Sequence, residues 1–211
     1  MTVVTADPLK PGMFFLYHGE SWVSRSISSA QAFVRGGSFY SHAGLYLGDG
    51  KIIEAMPSGA RICGFSPAYD HATVLWSDAP IQRELARVGY PDDEYESAMR
   101  ALVVAEARKL EGTPYSYSDY LAIAAVEWKW PGWEKLRGYV ASSGRLICSA
   151  LVDRAFLNAG IHLFDDRRLP GDVTPGDLDR YDQHWVRERL GSVETRLRRI
   201  ETHLGLDQWV A

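Results

Sequence analysis

Cysteine is nearly absent from this chain: Cys63 and Cys148 are the only two in 211 residues. Two cysteines cannot build a disulfide framework, so stability must come from a packed core. Each thiol is then either a reduced bystander or a group that does chemistry. Long hydrophobic runs are missing as well. A membrane-spanning helix needs about eighteen or more consecutive apolar residues, and the longest candidate, "YLAIAAVEWKW" from Tyr120, is broken by Glu127 and Lys129. No transmembrane segment is expected. The opening "MTVVTADPLKPG" has no basic stretch followed by an apolar one, so no secretory signal is expected. The chain therefore reads as cytoplasmic by default, although virion packaging or signal-independent secretion would leave no trace in such a sequence. An excess of positive charge is lacking too. With a formal net charge of -4 and a pI near 5.9 there is no electrostatic reason to expect nucleic-acid binding. The local basic run Arg196, Arg198, Arg199 is interleaved with Glu194 and Glu201 and reads as a solvated helix face. There is no internal repeat and no low-complexity tract.

What is present is an ordinary globular composition, 46% hydrophobic and 24% charged, long enough for one domain with a substantial core and an appendage. "MFFLYHG" reads as a strand from Met13 to Tyr17. A helix follows through Trp22, Ile27, Ala30, Phe33 and Val34, with Ser21 as N-cap and Gly36-Gly37 as its stop. Strands are expected at Arg61–Phe65 and Thr73–Trp76. "PDDEYESAMRALVVAEARKLEG" is a helix capped by Asp92 or Asp93, acidic in its first turn, basic in its last and ended by Gly112. Further helices are expected over Tyr117–Trp130 and over "RLICSALVDRAFLNAG", and a short helical turn at "TPGDLDR" with Pro175 near its first position. The final stretch carries Leu190, Val193, Leu197, Ile200 and Leu204 at alternating spacings of three and four, the a/d seam of a coiled coil. It either packs on its own domain or lets the chain self-associate.

The segment "SHAGLYLGDGKIIEA" is an apolar β-hairpin that places a histidine on one strand and a glutamate on the other. A two-residue "DG" turn would set Leu45 opposite Glu54 and send His42 and Glu54 to opposite faces. A three-residue "GDG" loop with Gly50 in the left-handed region sets Gly44 opposite Glu54 instead. His42 and Glu54 then become diagonal neighbours on one face, with Gly44 leaving room between them. The three-residue loop is the expectation. Cys148, at the start of a helix, is the candidate nucleophile: unpaired N–H groups and the helix dipole favour its thiolate there. A thiol attacking an acyl carbon, a histidine moving the proton and a carboxylate holding the imidazole make up one catalytic set. Read one at a time, each residue also has a structural explanation: a core cysteine, a strand histidine, a carboxylate beside Lys51.

The same segments carry a resemblance. "SHAGLYLGDGKIIEA" is similar to the His-containing hairpin of NlpC-type papain-like hydrolases. "GTPYSYSDYLA" followed by "RLICSALVDRAFLNAGI" resembles their nucleophile region. Here the histidine segment precedes the cysteine segment, an order similar to the circularly permuted branch: the permuted papain-like amidases of the YiiX/YaeF type and the lecithin–retinol acyltransferase relatives. The similarity covers about residues 8–186; a tryptophan-bearing insert at 128–144 and the amphipathic helix at 187–205 fall outside it. Met13 stands where those amidases usually carry an acid. The resemblance implies an α+β fold, an antiparallel sheet packed against helices, and a cysteine hydrolase in which Cys148 is nucleophile, His42 base and Glu54 the orienting residue. It also points to Tyr115 as a substrate or oxyanion contributor; His18, at the end of the first strand, and Ser149, next to the nucleophile, are further candidates for that role. Such chemistry requires no cofactor and no metal, and neither motif has zinc-ligand spacing. The substrate would be a peptide or isopeptide amide, or an acyl lipid. Rival readings are a lipid acyltransferase or thioesterase on the same three residues, and a non-enzymatic binding or scaffold module carried by an oligomerising helix.

Overall fold

Five short runs pair as one antiparallel sheet, and two of them, "FFLYH" and "TVLWS", are rich in the aromatic and β-branched residues that favour strands. The structure is a computed structural model of the chain. It describes residues 9–18, 40–56, 58–65, 73–89, 92–114, 147–166 and 173–204, with side chains as far as 195. The strands are β1 (Phe14–His18), β2 (His42–Gly48), β3 (Lys51–Met56), β4 (Gly59–Gly64) and β5 (Thr73–Ser77), in the order β4-β3-β2-β1-β5. Four helices are described: α1 (Ala79–Arg87), α2 (Asp93–Arg108), α3 (Cys148–Asn158) and α4 (Pro175–Leu204). The fold is α+β. Among the described residues no helix is long and apolar enough to cross a membrane.

Strand alternation separates two buried faces. Phe14, Leu16, Ala43, Leu45, Ile53 and Ala55 join the main core with Val103, Leu151, Val152, Ala155 and Phe156 from the helices. Phe15 and Ile52 are equally inaccessible but lie on the reverse face. There Trp76 gathers Phe15, Phe65 and Tyr46, with ring centroids 5.3, 5.1 and 5.9 Å away. α3 is buried almost all round, from Cys148 through Phe156, as a helix sandwiched in a core must be.

The helix caps follow the sequence closely. Asp92 caps α2 by accepting from the Tyr95 N–H at 2.9 Å. At α4 the cap is reciprocal: the Asp177 N–H donates to Thr174 Oγ1 at 3.1 Å and the Thr174 N–H to Asp177 Oδ2 at 2.9 Å, with Pro175 at the first helical position. Three features differ from the sequence reading. β4 starts two residues early, at Gly59. α1, which the sequence reading missed, forms because Ala79, Pro80, Ile81 and Leu85 share a buried stripe. The short turn at "TPGDLDR" and the terminal amphipathic helix are one continuous helix of 30 residues, so the expected boundary at 186/187 falls inside α4. The helix expected through Trp22–Val34, the helix over Tyr117–Trp130 and the insert at 128–144 lie outside the described residues.

Candidate active site

The β2–β3 hairpin decides which side chains can meet. Gly44 stands opposite Glu54, the register expected from the sequence, but the turn that produces it is different. Gly48 pairs with Lys51, which leaves a two-residue turn at Asp49-Gly50. Both turn residues have positive φ, 52° and 68°, as a type I′ turn requires. The register slips by one residue between Tyr46 and Gly48, so β2 carries an extra residue there as a β-bulge. A bulge plus a tight turn thus does what a three-residue loop was expected to do. Both put His42 and Glu54 on one face.

On that face the His42 Nε2 is 2.8 Å from Glu54 Oε2. Glu54 is wholly inaccessible and the His42 side chain is 16% exposed. The gap beside them is not empty space. A methyl group on Gly44 would lie 2.6 Å from the Phe15 ring and 2.7 Å from the Ile53 carbonyl oxygen. Gly44 lets the Phe15 ring lie against the strand, and Phe15 and Tyr17 flank the imidazole with centroids 6.4 Å from it.

The second carboxylate oxygen is held from β4. Register sets Glu54 opposite Arg61, and the guanidinium donates to Glu54 Oε1 twice, from Nε at 3.0 Å and Nη2 at 2.7 Å. The Cys63 thiol, two residues along the same strand, approaches the same oxygen at 3.6 Å. Arg61 was not singled out by the sequence. Cys63 is held as a thiol: burial and the Glu54 carboxylate push its pKa up against the opposing pull of Arg61.

His42 also hydrogen-bonds Cys148. Each opens its element, His42 the strand β2 and Cys148 the helix α3. No side chain caps α3, and Cys148 is 1% exposed. Burial alone would lower the imidazole pKa, but hydrogen bonds to Cys148 and Glu54 and the charges of both outweigh it and push His42 up to about 10. The site is a line, Cys148, His42, Glu54 and Arg61, that runs from the interior to a half-exposed guanidinium at the surface.

Of the remaining candidates, Ser149 is fully buried and its Oγ donates to the Val173 carbonyl at 2.6 Å. That bond ties the first turn of α3 to the segment that leads into α4. His18 ends β1 opposite Thr73, and alternation puts it on the other face of the sheet from His42, whose neighbour on β1 is Tyr17. Tyr115 lies outside the described residues. Among the described residues no three His, Cys, Asp or Glu side chains are grouped so as to hold a metal ion. No protein-family model matches the chain, and no curated protein matches its sequence.

Proposed function

We propose that the chain is a cysteine hydrolase that cleaves an amide bond through a thioester on Cys148. The observation that carries this reading is the contact of His42 with both Cys148 and the buried Glu54 carboxylate. With Nε2 held by Glu54, Nδ1 is the ring nitrogen that exchanges a proton with the thiol. Charges then alternate along the line: thiolate, imidazolium, carboxylate, guanidinium. Each is flanked by its opposite, the condition under which buried charges persist.

In this scheme the Cys148 sulfur attacks the substrate carbonyl carbon, and N–H groups of the first turn of α3 stabilise the oxyanion. The tetrahedral adduct collapses as His42 gives its proton to the departing amine, leaving an acyl thioester. Neutral His42 then takes a proton from water, whose oxygen attacks the thioester and releases the acid and the thiol. Glu54 keeps the ring oriented and stabilises its positive charge, and Arg61 keeps Glu54 from rotating away. Resemblance to the permuted papain-like amidases supports the reading, with a peptide, isopeptide or acyl-lipid amide as substrate class.

The test is alkylation of the native protein by iodoacetamide, resolved by site, from pH 6 to 9. Cys148 should react at a nearly constant rate across this range, because its proton already sits on His42. Cys63 should react slowly and faster as the pH rises. In His42→Ala the Cys148 rate at pH 6 should fall about tenfold or more and regain the ordinary thiol pH dependence. A Cys148 that reacts no faster than a free thiol, or whose rate ignores His42, overturns the proposal.

A further inference from the structure

Among the described residues, the distal part of α4 is exposed along its whole length to Thr195. Residues 175–179 are buried, but every residue from Val186 to Thr195 is exposed. Three of these are large and apolar: Val186 is 45%, Leu190 63% and Val193 50% exposed. Their spacings of four and three continue in the sequence through Leu197, Ile200 and Leu204. The seam therefore starts earlier than the sequence pattern alone indicated. Gly191, where added side-chain atoms would meet nothing, weakens an isolated helix by about 1 kcal/mol relative to alanine. Most helical stability in proteins comes from packing an apolar face.

From this seam we infer that α4 is the self-association element of the chain, joining more than two copies in a parallel bundle. The step of three from Leu190 to Val193 makes them positions a and d of a heptad. Leucines then occupy every a position, Leu190, Leu197 and Leu204, while Val186, Val193 and Ile200 occupy d. Leucine at a with β-branched residues at d disfavours the two-stranded coil and favours larger bundles. The flanking charges fix the direction. Position g holds Arg189 and Arg196, and the e positions that follow hold Glu194 and Glu201. In a parallel bundle each g residue meets the next e residue of its neighbour, so Arg189 faces Glu194 and Arg196 faces Glu201 of another copy. An antiparallel arrangement would set arginine against arginine and glutamate against glutamate. The inference is independent of the chemistry at Cys148.

Sedimentation equilibrium of the full chain at micromolar concentration tests it. The expected mass is that of at least three 23.6 kDa chains. Leu190→Glu, at an exposed position, should give the single-chain mass with the far-ultraviolet signal of the domain retained. Arg189→Glu alone should lower the mass, and Arg189→Glu with Glu194→Arg should restore it. A wild-type mass of one or two chains overturns the inference. So does a charge reversal at Arg189 that leaves the mass unchanged.

Discussion

Glu54 sits in the interior with both carboxylate oxygens engaged, Oε1 by Arg61 and Oε2 by His42. This division of labour makes His42 the pH-sensitive part of the site. Its pKa stands at about 10, above the ordinary imidazole value of 6.5, because Cys148 and Glu54 outweigh the cost of burial. A group whose pKa is raised on folding stabilises the native state fully below its unfolded value and loses that contribution as pH rises through the folded value. Because the proton on His42 is the one Cys148 has released, folding leaves the proton count unchanged until the unfolded thiol titrates, and urea midpoints should therefore fall between pH ~8.5 and ~10. In Glu54→Gln one of the two anions that hold the proton is gone, so the fall should be shallower and end at lower pH. Equal slopes for the two proteins would separate His42 protonation from Glu54. His42 and Glu54 were legible in the sequence because strand period and hairpin pairing are local. Arg61 was not: its role depends on the β3–β4 register, and the sequence reading began that strand at Arg61 without pairing it to β3. The Ser149 bond to Val173 was not legible either, since it spans 24 residues.

At the scale of the hairpin, three backbone devices cooperate. The Asp49-Gly50 turn matches the twist of the strands, the bulge beyond Tyr46 resets the register, and Gly44 admits the Phe15 ring. Removing any one of them should disturb the His42–Glu54 contact without touching either residue. Gly44→Ala is the sharpest case. The new methyl group would meet a buried ring and a backbone carbonyl, neither of which is the free end of a flexible side chain. Overpacking of this kind costs about 1–3 kcal/mol. Urea denaturation should show that loss, and alkylation of Cys148 should become more pH-dependent as the imidazole shifts. Unchanged stability would mean that Phe15 has room to move. The sequence indicated the correct pairing of Gly44 with Glu54 through the wrong loop, because a two-residue turn with a bulge and a three-residue loop produce the same register. α1 was missed although Asp78 at its N-cap and Pro80 in its first turn are helix-start signals; its nine residues follow directly on β5 and read as one segment with it.

Across the whole molecule α4 has two environments on one continuous helix. Its first turns are locked to the domain: Leu178 is fully buried, the Ser77 hydroxyl donates to Asp182, and Arg83 stacks 5.7 Å over the Tyr181 ring. Beyond Trp185 those contacts stop and exposure begins. The sequence reading divided the helix at this point, into a closing turn and an appendage, because its apolar pattern changes there from a domain-facing stripe to a heptad. A change of partner requires no break in the backbone. Two environments imply two melting transitions. Unfolding of the distal segment should depend on chain concentration, because its stability comes from other copies, whereas the domain core should melt at a fixed temperature. Circular dichroism at 222 nm would follow the helix, and near-ultraviolet dichroism would follow the aromatic cluster around Trp76. Across a hundredfold dilution the early loss of helical signal should move to lower temperature while the aromatic transition stays in place. Leu190→Glu should abolish that shift. A single transition, independent of concentration in both proteins, would mean that the distal helix is held by its own chain.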